Sequence, residues 1–516
     1  MRRKLIIKDT TFRDGIQGEG VQTTELNGAL LAIQAIDKLG VSYHEVGFAT
    51  ASKPTQERIK AACELKLNGK VAAFGRTHPN DVSAIISLGA PAGVLVGKTR
   101  AQDTVKAIHK TPEENLNLIK TSVSDLVSRG IEVIYDAEHF FQAFFEDDLI
   151  YALKTLSLAF KSGASWIVLC DTNGKMSPEK ITEAILAVKK IIPLDHLGIH
   201  THNDRGRALA NAEAAFKAGV CLVEGTIGGI GERTGNLDLC SFIPNAALDY
   251  NVDGINSEQL ANMQKTYLLV CDVLNLPPKN NTPWVGSSAF YTEAGMHESA
   301  SLRDHGNYWH ADPSIVGNHR RVGVTDQSGK ANLISKANEL GIEIPNDQVG
   351  QIAEAHQKLV DDGGDFGLAD ASFHLFLLRE LGRLPNFFEF VSFRAIIDKK
   401  VDCKVATETS LRMKIDGKPK LNNADGDGPI NAFDNVLRRT LHKRYPRLLQ
   451  VRLNDYEVRI VDASRGTAAK VRVRIEFTDG RKTWTTMAIH ENIIEASWEA
   501  LLDGYIYELV VNGHTH

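Results

Sequence analysis

The sequence predicts an α/β protein: a (β/α)8 TIM barrel over residues 1–290, mostly helical linker subdomains over 291–400, and a C-terminal α+β regulatory domain over 401–516. Three observations predict it. Eight short runs rich in β-branched and aromatic residues recur before residue 230. Helical patterns separate them, which implies parallel strands joined by crossovers, and eight such units fit a closed barrel better than an open sheet. Beyond the barrel the chain turns first helical and then alternates apolar with charged residues, the mark of a sheet with one wet face.

The strand runs, in order, are KLIIKD (4–9), YHEVGF (43–48), KVAAFG (70–75), AGVLVGK (92–98), EVIYDAEH (132–139), WIVLCDTNG (166–174), HLGIHTHND (196–204) and LVEGTIGG (222–229). Residues 27–39 and 112–127 carry helical periodicity between them. Ser177–Pro178 opens another helix, because serine accepts an orphan N–H and proline suits the first helical position. In the linker, Leu333, Ile334, Ala337 and Leu340 fall at helical spacing and stop at Gly341. ADASFHLFLLRELG behaves alike, and DDGGDFG before it is a loop. After residue 401, Val471, Val473, Ile475 and Phe477 alternate with charges, as do Tyr456, Val458 and Ile460. Helical GPINAFDNVLRRTL and NIIEASWEALLDGY accompany these strands, suggesting a duplicated α+β unit.

Composition excludes several function classes. A net charge of −5 from 59 basic and 64 acidic side chains gives no broad field for nucleic acid or an anionic membrane, so the expected partners are small molecules. Six cysteines without a CxxC fit a reducing, cytoplasmic compartment. MRRKLIIKDT lacks the apolar stretch of a signal peptide, and no run is long enough to span a bilayer.

Active sites in such barrels lie on the loops after the strands. Polar residues cluster there: Asp9, Arg13 and Asp14 after strand 1, Glu45 late in strand 2, and Arg76 and Lys98 closing strands 3 and 4. Asp136, Glu138 and His139 close strand 5, Asp171, Thr172 and Asn173 strand 6, and His200, His202, Asn203 and Asp204 strand 7. In HTHND, residues two apart face one side, so His200 and His202 can ligate one metal with Asp14 as the carboxylate. Two histidines and a carboxylate leave positions open for substrate, and the donor set suits Mg²⁺, Mn²⁺ or Zn²⁺ without choosing among them. Asn236 is either a fourth ligand or a turn residue. GGIGERTGN lacks the GxGxxG spacing of a dinucleotide site, so its glycines are read as letting backbone fold close over a ligand.

DTTFRDG, YDAEHFF, CDTNG, GIHTHND, GTIGGIGERTGN and ADPSIVGN together resemble the Claisen-condensing acyltransferases of the DRE-TIM metallolyase superfamily, the isopropylmalate, homocitrate and citramalate synthases. DAEHFF, VGNHRRV, GDFGLADASFHLF, GTAAKVRVRIE and ENIIEASWEALLD are most similar to the bacterial citramalate synthases, which join pyruvate to acetyl-CoA. The resemblance implies Asp14, His200 and His202 as metal ligands with Asn236 completing or supporting the shell, and Arg13 beside the keto oxygen. It implies Thr172 on the substrate carboxylate and Glu138 as a catalytic carboxylate in the acetyl-CoA pocket. His297 of EAGMHES matches the general base and Tyr308 a tyrosine near the reacting centre, although the residues alone favour an interdomain role for His297. It further implies a homodimer, and a C-terminal domain binding an end-product amino acid, isoleucine for a citramalate enzyme; a purely dimerising domain is the alternative.

Two loops depart from the citramalate pattern. GKTRAQDTV follows strand 4 and GFATASKPTQ strand 2, so Arg76, Arg100 and Gln102 are placed where they could meet a polar substituent, and another 2-oxo acid stays open as substrate. A metal-dependent 3-hydroxyacyl-CoA lyase would share the barrel without needing the C-terminal region. A non-enzymatic amino-acid sensor would need that region without the metal set.

Overall fold

The computed structural model describes residues 3–22, 25–292, 309–324, 329–367, 369–399 and 405–512. They fall into two units, one drawn from Met1–Phe290 and Ala311–Arg320, the other from Tyr291–His310 and Arg321–His516.

The first unit is a closed barrel of eight parallel strands: β1 (Ile6–Asp9), β2 (Tyr43–Phe48), β3 (Lys70–Arg76), β4 (Ala92–Lys98), β5 (Glu132–Glu138), β6 (Trp166–Asp171), β7 (Leu197–Thr201) and β8 (Leu222–Gly225), with β8 pairing back onto β1. Each corresponds to one of the eight runs read from the sequence. Strand alternation sends every second side chain inward. Toward the strand starts, Tyr43, Ala72, Ala92, Ile134, Trp166 and Leu222 form a dry layer. The Trp166 indole donates to the Tyr43 hydroxyl at 3.1 Å, and that hydroxyl donates to Glu132 at 2.8 Å. One step along β2, β5 and β8, Glu45, Asp136 and Glu224 replace the apolar residues and meet Lys8 of β1 and His200 of β7, all buried.

The barrel helices start where the sequence provides caps. Ser177 Oγ accepts from the Lys180 N–H ahead of helix Pro178–Val188. Thr111 and Glu114 form a reciprocal capping box on helix Pro112–Ser128. Ile119, Val123 and Leu126 on that helix are fully buried.

The second unit repeats one motif. Strands β9 (Glu389–Asp398), β10 (Ala406–Ile415) and β11 (Lys418–Gly426) form an antiparallel sheet followed by helix Pro429–Leu441. Strands β12 (Arg452–Ile460), β13 (Val471–Thr478) and β14 (Thr483–His490) form another, followed by helix Ile493–Val511. Leu411, Phe433 and Leu437 from the first repeat and Val473, Ile475, Trp498 and Tyr505 from the second share one core. Helices Lys330–Glu339, Val349–Asp361 and Asp370–Glu380 pack around Leu333, Ile352, Phe373 and Leu377, which meet Met487 of β14. The sequence reading does not include the helix at 349–361 or β9–β11 and β14. In β9 the reason is physical: Phe390, Val391, Ile396 and Ile397 are all exposed, so apolar residues on both faces erase the alternation. Among the described residues no helix is long and apolar enough to cross a membrane.

Candidate metal and substrate site

Strand ends and glycine turns build the site at the C-terminal mouth of the barrel. Asp14 follows β1 on a tight turn whose backbone N–H donates to the Thr10 carbonyl at 2.9 Å. His200 lies within β7, and His202, just beyond it, forms a backbone bridge with Asn236 that carries the GERTGN loop onto the mouth. Thr201 between them points away and donates to the Ala208 carbonyl at 3.1 Å. Glycine is required in that loop: a Cβ on Gly235 (φ 91°) would stand 1.9 Å from the Gly229 carbonyl oxygen, and one on Gly231 (φ 151°) 2.1 Å from Asn236 Nδ2. Arg233 fastens the loop with two bonds to Asp204, 2.7 and 2.9 Å, and a third to the Thr172 carbonyl at 2.8 Å.

Asp14, His200 and His202 are buried and offer ligand atoms within 4.8 Å of one another. The Nε2 atoms of the two histidines stand 3.3 Å apart, and His200 Nε2 is 3.7 Å from Asp14 Oδ2. Metal–imidazole bonds are about 2.0–2.1 Å, so both nitrogens reach one ion. Asn236 Nδ2 donates to Asp14 Oδ1 at 2.9 Å, and its own Oδ1 is buried without a hydrogen-bond partner among the described residues. That orphaned oxygen beside three convergent donors fits a hard or borderline divalent cation.

Electrostatics prepare the donors. Burial raises the Asp14 carboxyl, but Arg13, His200 and His202 outweigh it and hold it well below the usual carboxylate range. Burial, then the neighbouring His200, lowers His202 to about 4, and burial lowers His200. Both imidazoles are therefore neutral near pH 7, with a lone pair to share. Arg13 Nη1 donates to Asp14 at 2.8 Å, Nε pairs with Glu45, and the guanidinium lies 4.2 Å from the centre of the Phe74 ring.

A cavity of about 630 Å³ opens here, lined by Arg13, Asp14, Glu138, Thr172, His200 and His202 among others. The Thr172 hydroxyl accepts from the His139 N–H at 2.8 Å, which leaves its own proton to donate into the cavity. Glu138 is paired with Lys98 on the adjoining strand. Of the nine residues to which the resemblance gives a site role, seven meet at this mouth: Arg13, Asp14, Glu138, Thr172, His200, His202 and Asn236. His297 and Tyr308 lie outside the described residues. Arg76 lines the cavity, but its guanidinium is bound to Asp81 at 2.8 and 3.1 Å. Arg100 and Gln102 both turn to Asp147 and line no part of it.

Sequence reasoning missed Lys8 and Glu224. Burial pushes the Asp136 carboxyl up to about 7, with Glu224 adding to the effect. The Lys8 ammonium is held charged against its burial by Asp136, Glu224 and Glu45. A lysine inside an apolar run is the signal that could have found this cluster, since such a charge needs buried partners.

A closed parallel barrel with a histidine pair and a carboxylate converging at its C-terminal mouth defines a class of barrel enzymes with an ion-binding centre. Comparison with known proteins narrows it. Family models match along the chain: HMGL-like at residues 4–266, a homocitrate synthase post-HMGL domain at 284–364 and a LeuA allosteric (dimerisation) domain at 367–508. An (R)-citramalate synthase of Aquifex aeolicus is 40% identical over 99% of this chain and 98% of its own. One from Geobacter sulfurreducens is 39% identical over 97% of each. A 2-isopropylmalate synthase of Methanocaldococcus jannaschii is 29% identical over 97% of this chain and 94% of its own. The chain belongs to the HMGL-like family and, within it, to the family of the (R)-citramalate synthases.

Proposed function

We propose that the protein condenses acetyl-CoA with pyruvate to give (R)-citramalate and CoA. The observation that carries this reading is the convergence of Asp14, His200 and His202 with Arg13 and Thr172 in one cavity, in a chain 40% identical along its length to an (R)-citramalate synthase. Asp14, His200 and His202, with Asn236 in support, would hold a divalent cation. When bound, that ion supplies Lewis-acid polarisation of the keto acid.

Arg13 has spare N–H groups after binding Glu45 and Asp14 and directs them at the keto oxygen, where negative charge develops as the new carbon–carbon bond forms. Thr172 donates its hydroxyl proton to the substrate carboxylate. By the family resemblance, His297 is the base that takes the methyl proton of acetyl-CoA, and Glu138 and Tyr308 are further catalytic residues. Water then hydrolyses the thioester and makes the condensation effectively irreversible. The cavity is much larger than a three-carbon acid and leaves room for the thioester end of acetyl-CoA.

The C-terminal repeat binds isoleucine as feedback effector and joins two copies of the chain, placing the enzyme in isoleucine biosynthesis in the cytoplasm. The support is the LeuA-type domain match and the exposed apolar residues Phe390, Ile397, Leu421 and Ile460 on its strands.

The test is thiol release from acetyl-CoA with pyruvate, 2-oxobutyrate, 2-oxoisovalerate, 2-oxoglutarate and glyoxylate, with added divalent metal and with EDTA. Metal-dependent preference for pyruvate is expected. Preference for another 2-oxo acid would keep the chemistry and move specificity to the loops after β2 and β4. CoA release without any 2-oxo acid would refute condensation.

A further inference from the structure

Lys8 is fully buried inside the barrel, directly beneath the proposed metal ligands. Its ammonium stands 2.6 Å from Glu224 Oε1, 2.7 Å from Glu45 Oε2 and 3.5 Å from Asp136 Oδ2. The second oxygen of Glu224, Oε2, meets His200 Nδ1 at 3.1 Å. The register places these groups side by side, since Lys8 pairs with Glu224 across β1–β8 and His200 with Glu224 across β7–β8. A buried ion cluster is a poor route to stability, because apolar residues of similar volume do as well or better. The layer beneath shows that this barrel fills its interior with apolar residues where nothing else is required.

An ionised carboxylate only accepts hydrogen bonds, so the His200 nitrogen facing Glu224 carries the proton. The lone pair then falls on Nε2, the atom 3.3 Å from His202 Nε2 and nearest to Asp14. Glu224 can serve His200 in this way because the Lys8 ammonium, 2.6 Å from its other oxygen, binds that oxygen and opposes the burial that raises the carboxyl. We propose that Lys8 is a positioning residue that acts through Glu224 to fix the tautomer of His200 and so sets affinity for the metal. The inference rests on Asp14, His200 and His202 being metal ligands.

The test separates tautomer control from charge balance. In Glu224→Gln the ammonium of Lys8 attracts the amide oxygen and leaves the NH2 facing His200 Nδ1, which moves the ring proton to Nε2. Calorimetric titration of the EDTA-stripped full-length chain with Mn²⁺ is then expected to show affinity about 10–100-fold below wild type. In Lys8→Met/Glu224→Gln no cation competes for the amide oxygen, which can turn to the His200 N–H. Affinity is expected to recover at least about fivefold over the single variant despite the extra substitution, a non-additivity that defines coupling. Thermal melting of each variant checks that it is folded. Wild-type affinity in Glu224→Gln, or a double variant that binds no better than the single, would overturn the proposal. Absence of Mn²⁺ binding by the wild-type chain would overturn the metal assignment itself and this inference with it.

Discussion

The two ends of the barrel interior are made from the same strands and obey different physics. Ile134 and Asp136 are neighbours on the inward face of β5, as are Tyr43 and Glu45 on β2, and Leu222 and Glu224 on β8. The first of each pair belongs to a packed layer, and the second carries a carboxylate into the ion cluster beneath the site. Two residues of extended chain thus separate a layer that supplies stability from one that spends it on function. The lesson is that burial alone does not mark a core residue; what touches it decides.

Each prediction tests one side of that contrast. The largest effect is at the charged end. Asp14→Asn keeps the shape of the side chain and removes its charge, and turnover in the thiol-release assay is expected to fall about a thousandfold or more. Melting of the metal-free protein should shift far less than the activity does. At the apolar end the signature reverses. Ile134→Ala leaves a cavity in a fully buried position and is expected to cost about 2–5 kcal/mol in denaturant unfolding, with little change in KM for the folded fraction.

A smaller effect comes from Asp9, a buried carboxylate beside the cluster that is hydrogen-bonded to Thr11 and forms no ion pair with Lys8. Burial pushes it up to about 6. The folded state keeps this proton between about pH 4 and pH 6 while the unfolded chain has released it, so Asp9 makes stability decline as pH rises through that window. Asp9→Asn should remove this part of the slope, which urea unfolding of both proteins at pH 4.5 and pH 7 would reveal as a difference that grows with pH in favour of the variant. The smallest effect belongs to the surface. Arg100→Ala breaks part-exposed pairs with Asp147 and Asp103 and is expected to cost less than about 1 kcal/mol, with the order of 2-oxo acid preference unchanged. A changed order would return the loop after β4 to the substrate wall.

Much of the site is legible because strands write their geometry into the sequence. His200 and His202 share a face by the two-residue period alone, and the loop rule of parallel barrels brings Asp14, Glu138 and Thr172 to the same mouth. The second repeat of the C-terminal domain is legible in KVRVRIEF for the same reason: one face is wet. Its first repeat is not, because the exposed apolar residues of β9 blur the period. Whether Arg76 and Arg100 faced the substrate was not legible either, since each has an acidic partner, Asp81 or Asp147, that only folding brings to it.

The sequence by itself determined the eight-unit barrel, the polar residues at its strand ends and, in the C-terminal unit, two strands of the second repeat and the two helices, because these follow from periodicity and chain order. Only the tertiary structure decided which carboxylates share Lys8, that Glu224 stands against His200, and that Asn236 reaches Asp14 from 222 positions away. Those partnerships depend on closure of the barrel and on strand register, and hydrogen bonds act over about 3 Å, a distance that local sequence patterns do not encode.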